Sequence, residues 1–263
     1  MPLDLDAYLE RLDCKDDPQP NTQTLHALHL AHATHIPFEN LDVLLGRPVR
    51  LDLDSLQAKL VRGRRGGYCF EHNTLFAAAL ERIGFRVDRL AARVRYRAQG
   101  VLPRTHMLLR VEIEGRSWMC DVGFGGEGLL LPMPMAVGVE CRQFLWTYRL
   151  VQEPGYWVWQ SRAGEGWHDL HAFTLEPHHP VDFEMANWFV STHPTSIFRR
   201  MLTAQRPTPE GRHVIRDREY TLDRGATKEV IQIADEEALL RLMRERIGLA
   251  FPAGTRFPIP EVD

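Results

Sequence analysis

The sequence predicts an α+β fold laid out in three successive parts: a helical lobe, a β-rich middle and an α/β tail. Three observations predict it. Up to about residue 84, apolar residues recur at helical spacing. From Arg86 the period changes to two, over a series of short segments separated by turn residues. After about residue 180, helix and strand patterns are mixed again. At 263 residues, 44% hydrophobic and 25% charged, the chain has material for a sizeable core and an ordinary soluble composition. No repeat, low-complexity tract or flexible linker interrupts it, so the three parts are expected to pack as one body.

In the first part, Leu5, Tyr8, Leu9 and Leu12 share a helical face, and the run "DDPQP" stops that helix. Asn21 or Thr22 is placed to cap a second helix through Leu25 and Leu28. It must end near Ile36, because Pro37 disfavours helical geometry in the residue before it. Asp52 or Asp54 caps a short helix through Leu56 and Leu60, and a fourth runs from Cys69 to Ile83, terminated by Gly84. The middle part reads as strands at 86–96, 105–114 and 116–122, the last two joined at Glu114-Gly115. Further strands follow at 143–151, 155–161 and 167–173. A helix is expected from Pro180 to about Met201 with Asp182 as its cap. Strands at 212–217, 218–223 and 228–233 come next, then a helix at 235–247 ended by Gly248.

Charge and composition narrow the function classes. A net charge of −3 gives no general push toward nucleic acid. The acidic start, "MPLDLDAYLERLD", lacks the apolar core of a secretory signal, and no run approaches the ~20 apolar residues of a membrane helix. Cys14, Cys69, Cys120 and Cys141 are irregularly spaced, with no C-x-x-C pair. They read as reduced thiols of a cytoplasmic protein and not as a disulfide framework.

The chemistry concentrates at "RRGGYCFEHN", residues 64–73, where a glycine-rich loop becomes a helix at Cys69. A thiol attacks as its thiolate, and a helix N-terminus presents free N–H groups and partial positive charge. The bland alternative is a core thiol, since cysteine is among the most buried residue types. A nucleophile needs a base, and the base an orienting group. If Glu114-Gly115 is a two-residue turn, Ile113 pairs with Arg116, Leu108 lies opposite Asp121, and His106 lies opposite Gly123. His106 and Asp121 are then diagonal neighbours on one face of the hairpin, within reach of each other. The combination Cys69, His106 and Asp121 is thus the candidate catalytic set.

His72 competes with His106 as the base, lying three residues after Cys69 on the same helical face. A C-x-x-H pair also suggests zinc, but no second pair with ligand spacing follows, so no metal is expected. The run "GFGGEG" at 123–128 is followed by "LLLPMPM" and not by a helix, which makes a dinucleotide loop a poor reading. It remains placed to open space for a substrate beside Asp121.

Together, "IPFENLD" at 36–42, "RRGGYCFEHN", His106 in "THMLL", "DVGFGG" at 121–126 and "NWFVSTHPTSIF" at 187–198 resemble the arylamine N-acetyltransferase family, in its compact bacterial form. The resemblance implies a helical domain (1–85), a β-barrel domain (86–190) and an α/β lid (191–263) around a cysteine-protease-like core. It implies an acetyl-CoA-dependent enzyme with Cys69 as nucleophile, His106 as base and Asp121 as orienting carboxylate. Its partners would be acetyl-CoA and small aromatic amines, hydrazines or hydroxylamines. Phe38, Val94 and Phe124 fall where the family lines its acceptor pocket, and Phe124, Gly125 and Gly126 are expected beside the thioester end of acetyl-CoA. Glu39 is expected to pair with Arg64 and so brace the loop before Cys69. Two alternatives use the same residues: a thiol hydrolase or transglutaminase-like enzyme, and a non-catalytic binding protein.

Overall fold

The computed structural model describes residues 1–259. The first lobe holds α1 (Leu5–Arg11), α2 (Thr22–His35), a two-residue strand β1 (Phe38–Glu39), α3 (Leu41–Leu44), α4 (Leu53–Leu56) and α5 (Cys69–Ile83). Asn21 caps α2, its Oδ1 accepting the Thr24 N–H at 2.9 Å, and α2 ends at Ile36, held extended before Pro37. Asp52 caps α4 in the same way through Ser55, and the helix continues as a π-helical stretch, Gln57–Arg62. Gly84 closes α5 at φ 109, the left-handed geometry that favours glycine.

The middle part comprises β2 (Arg86–Val94), β3 (Arg104–Ile113), β4 (Arg116–Cys120), β5 (Met133–Pro134), β6 (Cys141–Gln143), β7 (Trp146–Glu153), β8 (Tyr156–Ala163) and β9 (Gly166–Phe173). These form one antiparallel sheet in the order β5-β4-β3-β2-β9-β8-β7-β6, curled into a nearly closed barrel around Leu90, Leu108, Met119, Leu150, Trp159 and Leu170. The expected single strand at 143–151 is in fact a hairpin. Gln143 pairs with Trp146, and Phe144 turns the chain at φ 53. No Gly, Pro or Asn marks that turn, so the period-two pattern runs straight through it.

The last part comprises α6 (Pro180–Thr192), a 3₁₀ turn (Ile197–Arg199), β10 (Thr203–Thr208), β11 (Gly211–Arg216), β12 (Glu219–Asp223), β13 (Lys228–Gln232) and α7 (Glu236–Leu242), which runs on as a π-helical turn to Ile247. The helix stops nine residues short of Met201, because His193 is held extended before Pro194. Asp182 is not the cap itself. It sits three positions into the helix and accepts the N–H of His179, the true cap position, at 2.8 Å.

The second sheet runs β1-β10-β11-β12-β13. Its first strand therefore comes from the helical lobe, with Phe38 opposite Gln205 and Glu39 opposite Ala204. Asn40 rivets this junction. Its amide donates to the carbonyls of Phe198 and Met201, both at 2.7 Å, and its oxygen accepts the Thr203 N–H at 2.9 Å. Leu41 then packs into the tail's core with Leu202, Ile215, Leu239 and Met243.

Candidate active site

Cys69 is the first residue of α5, preceded by Tyr68 in an extended conformation. The Tyr68 N–H is taken by Glu71 Oε2 at 3.0 Å, which fixes the angle at which the loop enters the helix. Glu71 Oε1 accepts Lys59 Nζ at 2.8 Å, and Lys59 also meets Asp42 at 2.8 Å. Burial opposes the Lys59 ammonium, but the carboxylates of Glu71, Glu39 and Asp42 outweigh it and hold its pKa above the usual value. The Cys69 thiol is only 4% exposed, and its Sγ lies 3.6 Å from the Thr105 carbonyl oxygen.

The hairpin brings the other two groups to it. Its register pairs Ile113 with Arg116 and Leu109 with Cys120, so Asp121 leaves β4 on the level of Leu108. On the other edge of β3, Ala92 pairs with His106 but Arg93 pairs with Arg104, leaving Thr105 as a bulged residue. A bulge re-aims neighbouring groups. Here it turns the Thr105 carbonyl to the thiol and His106 toward Asp121. His106 Nε2 meets Asp121 Oδ2 at 2.6 Å, and the Cys69 thiol is near enough to the same imidazole to help raise its pKa. Nδ1 is the ring nitrogen left for the sulfur.

Asp121 is held on every side. Its Oδ1 accepts Asn73 Nδ2 at 3.1 Å and the Gly123 N–H at 3.0 Å, and its own N–H donates to His29 Nε2 at 3.2 Å. Asn73 stands one helical turn beyond Cys69. Besides Asp121 it binds the Met107 carbonyl at 2.7 Å and accepts the Val122 N–H at 3.2 Å. It thus clamps α5 to both arms of the hairpin. Gly123 permits the contact, since a Cβ there would lie 2.8 Å from the Cys69 Cα.

Burial opposes the His106 charge, but Asp121 outweighs it and lifts the imidazole pKa to about 10. Asp121 is correspondingly held far below the usual carboxylate range. A second histidine faces the same carboxylate oxygen: His171 Nε2 lies 3.4 Å from Asp121 Oδ2, longer than a good hydrogen bond, in a ring with no exposure. Burial lowers His171 to about 4, so it is neutral and presents Nε2–H to the carboxylate. The donor atoms of His106, Asp121 and His171 lie within 4.8 Å of one another, the type of set that can ligate a metal ion. The 2.6 Å between His106 and Asp121 is a hydrogen-bond length, with a proton between them.

His72 stands elsewhere. Its Nδ1 faces His32 Nε2 at 3.0 Å and its Nε2 donates to the Pro37 carbonyl at 3.1 Å, so both nitrogens are engaged away from the thiol. Phe124 packs edge-on to His106, with ring centroids 5.2 Å apart. Phe38 lies 5.9 Å from Phe198, which also meets Tyr68, and Val94 pairs across the sheet with His171. Gly125, at φ 86, and Gly126 both back onto Gln205, whose Oε1 accepts the Gly126 N–H. The brace on Glu39 is Arg65 and not Arg64: Nε and Nη2 of Arg65 reach Glu39 Oε1 at 2.9 and 2.6 Å. Arg64 adopts φ 49, and this reversal turns its side chain out of the brace.

Sequence reasoning missed Asn73, His29, His171, Arg65 and Phe198. Asn73 was in view inside the motif, at a spacing of four from Cys69. His171 was hidden by a second bulge: Trp159 pairs with His171 but Gln160 with Asp169, which shifts the alternation at Leu170.

A cysteine, a histidine and a carboxylate brought together on a helix and a barrel hairpin are the type of set that can carry acyl transfer through a thiol. Residues 21–255 match the family model described as N-acetyltransferase. The chain is 40% identical to the arylamine N-acetyltransferase / N-hydroxyarylamine O-acetyltransferase of Salmonella typhimurium, over 93% of this chain and 88% of that one. It is 38% identical to the arylamine N-acetyltransferase of Mycolicibacterium smegmatis, over 95% and 93%. The solved structure of Mycobacterium marinum arylamine N-acetyltransferase in complex with CoA superposes with a TM-score of 0.89, at 36% identity, over 93% of this chain and 92% of that one. The chain belongs to the arylamine N-acetyltransferase family and is an acyltransferase.

Proposed function

We propose that the protein transfers the acetyl group of acetyl-CoA to an aromatic amine, hydrazine or hydroxylamine through an acetyl-cysteine on Cys69. The observation that carries this reading is the buried Cys69–His106–Asp121 chain on this family's fold. His106 rests as an imidazolium, with a proton to give to the leaving group. The Cys69 thiolate attacks the thioester carbonyl. As the tetrahedral intermediate collapses, CoA leaves and takes the His106 proton, so a neutral imidazole faces the acetyl-cysteine. The acceptor nitrogen attacks that carbonyl, His106 removes its N–H proton, and Cys69 departs as thiolate. His106 is again protonated and Cys69 again free of the acetyl group. In this reading the N–H of Cys69 or of its neighbour, at the head of α5 where no intrahelical acceptor exists, binds the oxyanion. Phe38, Val94, Phe124 and Phe198 supply apolar and aromatic surface for the acceptor. The relative solved with CoA supports acetyl-CoA as donor.

Both half-reactions use one sulfur, so steady-state data should give the parallel double-reciprocal lines of a ping-pong enzyme. Mass spectrometry after mixing with acetyl-CoA alone should find one acetyl group on Cys69, and none on the Cys69→Ala protein. The acetylated protein should release its acetyl group faster to an arylamine than to water. Equal release with and without amine would make the protein a thiol hydrolase.

A further inference from the structure

The corrected position of the Glu39 brace leaves Arg64 unassigned, and its surroundings are unusual. Arg64 borders a cleft of about 480 Å3 together with Arg11, Arg206, Thr34, His35 and Glu210. Arginines from three separate segments line it: buried Arg11 of α1, half-buried Arg206 of β10 and exposed Arg64 of the loop before Cys69. Arg11 is 6% exposed. Its Nε donates to the Leu60 carbonyl at 3.1 Å, and neither terminal nitrogen has a carboxylate partner. Among the described residues, none of the three arginines lies within ion-pair distance of an acid, whereas Arg95, Arg110, Arg212 and Arg218 each have one. The Nε of Arg206 is buried without any acceptor. Glu210, the single acid of the lining, is exposed at the rim.

An uncompensated buried cation is costly, and like charges in one cleft add to that cost. Burial, and then Arg64, lower the Arg11 pKa to about 10, and burial also lowers Arg206. The Arg64 charge is therefore felt at Arg11. A guanidinium is the best side-chain partner for a planar or tetrahedral oxyanion, through paired N–H donors. We infer that this cleft is a binding site for a phosphoryl oxyanion, held by Arg11, Arg64 and Arg206. A doubly charged anion would offset three cations more fully than a lone carboxylate would. Since Arg64 lies five residues before Cys69, an occupant would contact the loop that carries the nucleophile.

The test uses the full chain and two probes, inorganic phosphate and pyrophosphate, followed by thermal unfolding and calorimetry against sodium chloride of matched ionic strength. Saturable binding of pyrophosphate at millimolar concentration is expected, with a rise of about 3 °C or more in Tm. Arg206→Gln and Arg64→Gln should each weaken it about tenfold, with unchanged circular dichroism and unchanged turnover at saturating acetyl-CoA. Arg11 is left intact, because its bond to Leu60 is part of the fold. The KM for acetyl-CoA in the two variants identifies the source of the anion. An unchanged KM means a free phosphate compound, and a KM that rises in step with the lost pyrophosphate affinity means the donor's own phosphates. Absence of saturable binding at about 10 mM, equal binding by both variants, or a shift reproduced by sodium chloride would overturn the inference.

Discussion

Asp121 meets five partners through both carboxylate oxygens and its backbone, one in its own loop and four from four other segments. Such a residue has little freedom, and its task is to present one oxygen to His106. Asp121→Asn would place an amide where the carboxylate accepts the Nε2–H, forcing the wrong tautomer or a turned ring. Single-turnover release of CoA should slow by about a thousandfold or more, with the fold retained by circular dichroism. The same loss from an unfolded protein would carry no such meaning. His171 contributes one long contact to the same oxygen, so His171→Phe should slow CoA release only about fivefold. His171→Gln, whose amide can donate to that oxygen, should recover most of the rate. Equal rates for the Phe and Gln variants would make His171 a packing residue.

Between elements, the decisive contact is the one that joins β1 to the loop before Cys69. Glu39 is fully buried, takes two hydrogen bonds from Arg65, and returns Oε2 to the Leu41 N–H at 2.8 Å. Arg65 also lies over the Phe251 ring, 4.9 Å from its centroid. Removing one partner leaves a buried charge unmatched, so Arg65→Gln should lower stability by about 3 kcal/mol or more in urea unfolding. Arg64→Gln should stay within about 0.5 kcal/mol. Comparable losses from both variants would return the brace to Arg64. The contrast is sharp because the two arginines are adjacent in sequence and differ only in backbone geometry.

Across the molecule, a buried histidine system ties the helical lobe to the barrel. His72 Nε2 must donate to the Pro37 carbonyl, so its Nδ1 accepts from His32 Nε2–H, whose Nδ1 in turn accepts the Tyr8 hydroxyl at 2.8 Å. His29 likewise donates from Nδ1 to the Leu130 carbonyl and accepts the Asp121 N–H at Nε2. Each ring works only when neutral. Burial lowers His29, His72 and His171 to about 4, and His32 further. Because these native pKa values lie below the unfolded one, their stabilisation is complete above about pH 6.5 and is lost as pH falls toward 4, on the order of 3 kcal/mol for each ring. His106 runs the other way. Raised to about 10, it contributes fully below pH 6.5 and less as pH climbs through its native value. Tm should therefore peak near about pH 6.5 and fall on both sides. A flat Tm between about pH 4.5 and 6.5 would mean that the buried rings are not held neutral.

Local rules in the sequence determined much of this molecule. The boundaries of α2 and α5 follow from Asn21, Pro37 and Gly84, and the β3–β4 register follows from a two-residue turn, which carries His106 and Asp121 to one face. The family was legible because its motifs sit where those local rules act. Tertiary structure alone decided what depends on contacts between distant segments. The insertion of β1 into the tail's sheet involves two residues, too few for any period to show. The bulges at Thr105 and Leu170 break the alternation that sequence reading relies on, and they aim Thr105, His106 and His171. Arg64 and Arg65 are the same residue type in neighbouring positions. Only the positive φ at Arg64, imposed by the turn that leads into Cys69, sends one to Glu39 and the other into the basic cleft.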